Sequence, residues 1–280
     1  MAVIAMTQEM ATLGKDVALG VCEALGLQQV RHEVGDFVAG RMHVKKSLIR
    51  RIREGRASPL EKWTADEKTI SIFTAEEVYE LAVQGNVLIR GWGATSLLRP
   101  VAHVPCIRVC SPMDLRVKRL MERLQTDDEK LARHEIDVDD HARASRMAEH
   151  FGVHWGDPTL YDLTVNTERI PAAECVGQIV ALARSAPFQE TPESRQKLAD
   201  LALRARARGA LRANEATSGV DILVEVEQGR VHLRGIVDRE ADRGRVRACL
   251  EKLPGVTGID DELRTMSGGL FRFPSQPRGE

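Results

Sequence analysis

Aromatic residues are scarce: three Trp, two Tyr and six Phe in 280 positions. So few flat side chains cannot build the stacking surface of a single-strand nucleic-acid binder. An excess of one charge is also lacking. The 40 Lys and Arg face 41 Asp and Glu, for a formal net charge of -1. Sequence-specific DNA binding is therefore not expected, although a local basic patch remains open. No apolar run reaches the roughly 18 residues of a membrane helix, so no transmembrane segment is expected. Residues 1–6 are apolar but follow no basic stretch and are too short a run for a secretory signal. The five cysteines, Cys22, Cys106, Cys110, Cys175 and Cys249, contain no C-x-x-C pair. They read as free thiols of a reducing compartment, and the expected location is cytoplasmic. His134, His141, His150 and His154 lack the H-E-x-x-H spacing of a zinc helix. Asp137, Asp139 and Asp140 read as solvated helix residues.

What is present is enough apolar sequence for a core: 43% hydrophobic against 29% charged. Four segments, 2–7, 86–89, 106–110 and 163–165, read as short buried strands. Between them lie amphipathic stretches at 14–25, 34–53, 74–83, 113–124, 127–150 and 172–183, which read as helices. Thr74 and Glu77 suggest a capped helix start. Apolar strands alternating with helices predict an α/β layer with a mainly parallel sheet. Two prolines, Pro187 and Pro192, mark a linker at 186–192 between a first domain at 1–185 and a second at 193–266. A Gly-, Pro- and Arg-rich tail at 267–280 completes the chain. The second domain reads helix (193–213), strand (220–227), turn at Gln228-Gly229, strand from Val231, helix (238–253), strand (256–263). That is a small αββαβ, α+β unit.

The chemistry concentrates in the opening strand–loop–helix. The loop Glu9-Met10-Ala11-Thr12-Leu13-Gly14-Lys15-Asp16 ends as a phosphate-binding loop would, in Gly14 and Lys15. A helix N terminus offers N–H donors and a favourable dipole to a phosphate, and lysine adds a mobile point charge. The strict motif is absent, because Glu9 stands at the first glycine position and Asp16 where Ser or Thr would hold magnesium. The composition-based alternative is a helix start with Lys15 in solvent.

Three stretches make the first domain similar to the cytidylate kinase-like family of P-loop nucleotide kinases. They are Thr7 to Val17, Val87-Leu88-Ile89-Arg90-Gly91-Trp92-Gly93-Ala94, and the region from Arg116 to Leu163. The resemblance spans about residues 1–183. It implies a P-loop kinase-like parallel sheet flanked by helices, with ATP and Mg2+ as cofactors. By resemblance, Thr12, Gly14, Lys15 and Asp16 would hold the donor phosphates, with Asp16 at the metal. Arg90, Gly91, Trp92 and Gly93 would form the acceptor segment. Lys15, Arg119, Arg123, Arg143 and Arg146 would act on the transferred phosphoryl group, where spread negative charge calls for clustered cations. Several residues depart from the pattern. Ala11 and Leu13 replace expected glycines, and their side chains threaten the close approach of phosphate. Asp16 brings negative charge, and Trp92 stands where an arginine is expected. Losing two charge-assisted contacts would cost about 3–6 kcal/mol.

The second domain resembles the BON domain through Val224 to Val237 and Leu253 to Ile259. Related modules bind phospholipid surfaces or other proteins. The first helix carries Arg195, Lys197, Arg204, Arg206, Arg208 and Arg212, and no large apolar stripe is expected on it. Three functions follow from the two resemblances: a nucleotide-binding protein with a regulatory or stress-related role, an active ATP-dependent nucleoside monophosphate kinase, or a non-enzymatic interaction protein acting through its BON-like module on an anionic phospholipid surface or a protein partner.

Overall fold

The computed structural model describes residues 2–30, 33–58, 61 and 66–266. The tail expected at 267–280 lies outside them. Two compact units divide between Gly209 and Ala210.

The first unit is built on five parallel strands in the order β2-β3-β1-β4-β5. They are β1 (Val3–Gln8), β2 (Gln28–Val30), β3 (Val87–Arg90), β4 (Cys106–Cys110) and β5 (Leu163–Asn166). The helices between them are α1 (Gly14–Leu25), α2 (Glu33–Arg41), α3 (Lys46–Arg53), α4 (Glu67–Gln84), α5 (Ala94–Leu97), α6 (Met113–Leu124), α7 (Glu129–Phe151) and α8 (Ala172–Arg184). Alternate residues of a strand face opposite sides of its sheet. Val3 and Ala5 accordingly pack with α2 and α4 on one side. Ile4 and Met6 pack with α1 and α8 on the other. Covering both faces is what lets β1 be apolar from Val3 to Met6.

Sequence and structure differ at several places. The strand β2 was not foreseen; three residues bounded by a polar helix end carry too little periodic signal. The single helix expected over 34–53 is two helices. His43 turns the chain with φ 55°, and the Val44 N–H returns to the Ala39 carbonyl at 3.0 Å. The Thr74-Glu77 pair lies inside α4. That helix starts a full turn and more earlier, where the Asp66 carboxylate accepts from the Lys68 and Thr69 N–H groups.

A long helix, α9 (Pro192–Ala213), begins where the linker was expected. Proline suits the first helical turn, since its missing N–H has no partner to lose there. Leu198, Leu201, Ala202 and Ala205 are buried in the core of the first unit. The helix thus has the apolar stripe that its basic composition concealed. Gly209 has a packing reason: a Cβ there would meet Glu76 Oε2 at 2.1 Å.

Glu76 is itself buried on α4 and pairs with Arg41 of α2 at 3.1 Å. Burial pushes its carboxyl up to about 7 in spite of that arginine. A carboxyl raised on folding binds its proton in the native state while the unfolded chain has released it. Stability therefore falls as pH rises from the ordinary glutamate range through 7. Thermal melts at pH 5 and pH 8 are expected to show that loss, and Glu76→Gln is expected to flatten it. An unchanged pH slope in the variant would show that another group is responsible.

The second unit contains β6 (Leu223–Glu227), β7 (Arg230–Val237), α10 (Glu240–Leu250) and β8 (Gly258–Thr265). β6 and β7 are antiparallel and β8 runs parallel to β7. Gln228 and Gly229 turn the hairpin at φ 51° and 78°, the two positive angles of a tight two-residue turn. Val231, Leu233 and Val237 face the buried side, while Arg234 and Ile236 face out.

Candidate nucleotide-binding cleft

In an open parallel sheet a crevice forms at the carboxyl ends of strands where the order reverses. Here β1 lies between β3 and β4, and Met6 pairs in register with Arg90. The loop after β1 and the segment after β3 therefore meet.

The loop keeps a glycine-like backbone without the glycines. Ala11 has φ 61° and Leu13 has φ 59°. L-residues hold such angles only against a cost of about 1–2 kcal/mol each. Packing supplies the reason they persist. Met10 and Ala11 rest on the apolar cluster of Val117, Leu120, Ala132 and Ile136 from α6 and α7. Leu13 is 38% exposed, so it does not fill the interior of the turn. Thr12 is fully buried, and its hydroxyl donates to the Glu9 carbonyl at 2.9 Å. Its own carbonyl accepts from the Thr167 hydroxyl at 2.8 Å. A Cβ on Gly14 would lie 2.4 Å from Gln8 Oε1 and 2.9 Å from Gln8 Cβ, so only glycine can open this helix. Lys15 and Asp16 are exposed on its first turn.

Glu9 has a structural role that its position in the pattern did not reveal. Its carboxylate accepts from Arg108 Nη2 at 2.6 Å and from the Ser111 N–H at 3.2 Å. Arg116 lies 3.6 Å from its other side. Arg116 is 4% exposed. It donates to the Met10 carbonyl at 2.8 Å and grips both Asp140 oxygens at 2.8 Å. Burial pushes the Asp140 carboxyl up, against the pull of Arg116. This buried cluster fixes the loop to α6 and α7.

The segment after β3 is held by three consecutive positive φ angles, at Gly91, Trp92 and Gly93. The Trp92 ring edge passes α2 at Gly35, where a Cβ would lie 2.9 Å from it. The Arg53 guanidinium of α3 stacks on the indole, 3.5 Å from the ring centre. A cation thus stands beside the segment after β3, although Trp92 itself is uncharged. Arg90 is buried and donates to Gln8 Oε1 at 3.0 Å.

These elements enclose a cleft of about 570 Å3. Gln8, Met10 and Ala11 form its floor, with Arg90, Gly91 and Trp92 beside them. Among the expected site residues, Arg123, Arg143 and Arg146 line it as well. The cleft walls carry eight basic side chains against four acidic ones. Three of the basic ones are neutralised, by the pairs Lys46–Asp36 at 2.6 Å, Arg143–Asp139 at 2.7 Å and Arg56–Glu135. Arg146 makes no hydrogen bond or ion pair among the described residues. Burial, with Arg143 close by, pushes its guanidinium down to about 10.

Gly93 faces a smaller chamber behind Trp92. Arg119 is turned elsewhere. It donates to the Ser111 and Thr167 hydroxyls at 3.1 Å and to the Thr167 carbonyl at 2.8 Å, joining α6 to the loop after β5. The residues missed were Lys46, Arg50 and Arg53 of α3 and Arg56 just beyond its end, all of which line the cleft. Lys46, Arg50 and Arg53 recur at i, i+4 and i+7, one helical face. That spacing was legible, but it reads equally as a solvated face until α3 is placed against the sheet.

The sequence profile of the cytidylate kinase-like family matches residues 3–169, and that of the BON domain matches residues 199–266. A cytidylate kinase of Staphylothermus marinus is 29% identical over 140 residues, 49% of this chain and 78% of that protein. A crystal structure of an uncharacterized protein from Eubacterium ventriosum superposes with a TM-score of 0.52 at 19% identity, covering 66% of this chain and 99% of the other. The structural likeness concerns the fold, a parallel sheet flanked by helices. Among the described residues no group of three or more His, Cys, Asp or Glu could hold a metal ion, and no helix is long and apolar enough to cross a membrane.

Proposed function

The chain belongs to the cytidylate kinase-like family, and from that premise we propose that its first unit binds a nucleotide in the cleft between the loop after β1 and the arginines of α3 and α7. The observation that carries this reading is the excess of cations around a backbone turn at the strand ends. An anion of nucleotide size suits such a wall, because arginine meets phosphate oxygens through a rigid donor fork. Calorimetry with ATP, CMP and CDP, with and without magnesium, tests it. Micromolar to low-millimolar binding of at least one is expected; no heat at millimolar nucleotide would remove the reading. A regulatory or stress-related role in the cytoplasm is the setting it implies.

A second reading, phosphoryl transfer from ATP, draws on the left-handed angles at Ala11 and Leu13. Those are backbone angles that the glycines of a phosphate-binding turn supply, and the missing Cβ of Gly14 keeps the turn tight. Lys15 would reach the donor phosphates. Asp16 would give Mg2+ one carboxylate, with phosphate oxygens and water completing its shell. ATP supplies the transferable phosphoryl group when bound; Arg143 and Arg146 would stabilise the charge that spreads during transfer. CMP-dependent ADP formation is expected to fall about 100-fold in Lys15→Ala. Turnover equal to a protein-free control would reject this second reading while leaving binding intact.

The BON domain adds an interaction module for a phospholipid surface or a protein. Several of its arginines favour the protein, because they already face carboxylates. Arg234 meets Glu262 at 3.0 Å, Arg243 meets Asp261 at 2.8 Å, Arg245 meets Asp242 at 2.9 Å and Arg247 meets Glu251 at 2.7 Å. Flotation of the full chain with anionic liposomes at low salt would reverse that preference.

A further inference from the structure

The helices α2 and α3 form an arm that supplies much of the cleft wall. Gly35 and Asp36 of α2 line it, as do Lys46, Ile49, Arg50 and Arg53 of α3. The two helices are tied to each other by the Lys46–Asp36 pair at 2.6 Å and by the Val44 N–H on the Ala39 carbonyl. Arg41 closes α2 at the end away from the cleft, about 9 Å along the axis from Gly35. There its guanidinium lies over the Phe37 and Phe73 rings, at 5.7 and 4.8 Å, and meets Glu76 of α4 at 3.1 Å. Among the described residues no other carboxylate pairs with Arg41, and its buried Nε has no hydrogen-bond partner. Glu76 is thus the one anionic anchor found at the far end of the arm.

The anchor is sealed by α9. The Gly209 backbone passes so close that a Cβ there would meet Glu76 Oε2 at 2.1 Å and Oε1 at 3.2 Å. Residues 199–209 of α9 belong to the first unit by packing and to the BON match by sequence. The seal therefore comes from outside the kinase-like match at 3–169. Burial is the largest influence on Glu76 and pushes its carboxyl up to about 7; Arg41 and Arg206 pull it down, and Glu80 and Glu77 push it further up. Arg206 itself is held by Glu80 at 2.9 Å, which leaves Arg41 as the direct partner.

We propose that the Glu76–Arg41 pair is a proton-operated latch on the α2–α3 arm: ionised Glu76 holds the arm where it forms the cleft wall, and protonated Glu76 releases it. The effect on ligand affinity rests on the nucleotide reading above. The latch works because a charge-assisted hydrogen bond is roughly twice as strong as a neutral one. An arm already fixed keeps its cations in place before the ligand arrives, which lowers the ordering cost of binding. By linkage, a ligand that needs the arm in place draws the proton off Glu76. Affinity for an anion therefore rises as pH climbs through 7, while the fold as a whole loses stability over the same range because the charge is buried.

The test is calorimetry of the full chain with CMP at pH 6 and pH 8, in the native protein, Glu76→Gln and Glu77→Gln. Glu76→Gln fixes the neutral state. It is expected to match the native protein at pH 6 and to bind CMP about 5-fold more weakly at pH 8. Glu77→Gln is expected to follow the native protein at both. Comparing variants at one pH cancels the titration of the CMP phosphate. A second readout needs no ligand. Trp92 passes α2 at Gly35 and carries Arg53 of α3 on its face, so its emission follows the arm. A fluorescence change centred near pH 7 is expected in the native chain, in Glu77→Gln and in His43→Gln, which removes the histidine at the joint of the arm. It is expected to vanish in Glu76→Gln and in Trp92→Phe. Equal CMP affinity of the native protein and Glu76→Gln at pH 8 would overturn the latch, as would a fluorescence change that survives in Glu76→Gln. If CMP binds at neither pH, the nucleotide reading falls and the fluorescence alone decides the latch.

Discussion

Replacing Arg116 with alanine is expected to destabilise the first unit by about 3–5 kcal/mol, because a buried ion pair loses one partner and leaves the other charged. For a unit of this size that corresponds to a melting temperature lower by roughly 6–20 °C. The expectation rests on what the guanidinium holds. It joins the Met10 carbonyl of the loop to Asp140 of α7 and stands 3.6 Å from Glu9. Without it, two carboxylates converge on an interior loop with only Arg108 to offset them. Asp140, whose carboxyl burial already pushes up, would take up a proton more readily than in the native protein, so the deficit should shrink as pH falls. Arg116→Met, Asp140→Asn removes the charge on both sides and is expected to recover part of the loss. Trp92 and Trp155 lie in the first unit and no tryptophan follows Gly209 in the sequence, so tryptophan fluorescence does not report on the second unit. A melting temperature unchanged in Arg116→Ala would mean that the cluster is not what holds the loop.

The opposite balance is expected at Arg146. Its charge is half-buried, without a hydrogen-bonded acid, and Arg143 lies close by. A base whose proton is held less tightly in the native state than in the unfolded chain destabilises folding at neutral pH. Arg146→Met, which keeps the stem's volume, is therefore expected to be at least as stable as the native protein. It is also expected to bind CMP about 10- to 100-fold more weakly, the loss of a charge-assisted hydrogen bond of about 1.5–3 kcal/mol. Stability retained and affinity lost is the signature of a side chain kept for a ligand. Lower stability with unchanged CMP binding would instead make Arg146 a structural residue. Arg119 offers the contrast within one chain. Its guanidinium is fully engaged by Ser111 and Thr167, and its removal should tell on stability first.

The two arginines look alike in sequence, and that explains where pattern reading stopped. Arg119 and Arg123 sit on one helix and Arg143 and Arg146 on another, and a charged helix face has the same spacing whether it meets water, a threonine or a ligand. The same ambiguity hid α3. Its basic face was visible, but only the break at His43 and the packing of Ile49 turn it toward the cleft. In sequence Leu198, Leu201, Ala205 and Arg208 make no large apolar stripe, because arginines dominate the average; Ala202 completes the buried face in the structure. Burial depends on which face meets the core, not on the mean over the helix.

Alternation of apolar strands with amphipathic helices was enough to determine a parallel α/β layer. The turn residues and alternating strand of the C-terminal part likewise determined a small hairpin-based module. Those features are local: period, caps and turns act within a few residues. The meaning of Ala11, Leu13 and Trp92 was decided only by tertiary structure. Each lacks the residue type that the loop chemistry calls for. Yet the α6–α7 cluster holds Ala11 in a glycine's backbone angles, and α3 brings Arg53 onto Trp92. A side chain's charge or bulk is written in the sequence, but its direction, and the neighbour that replaces what it lacks, come from distant segments that only folding brings together.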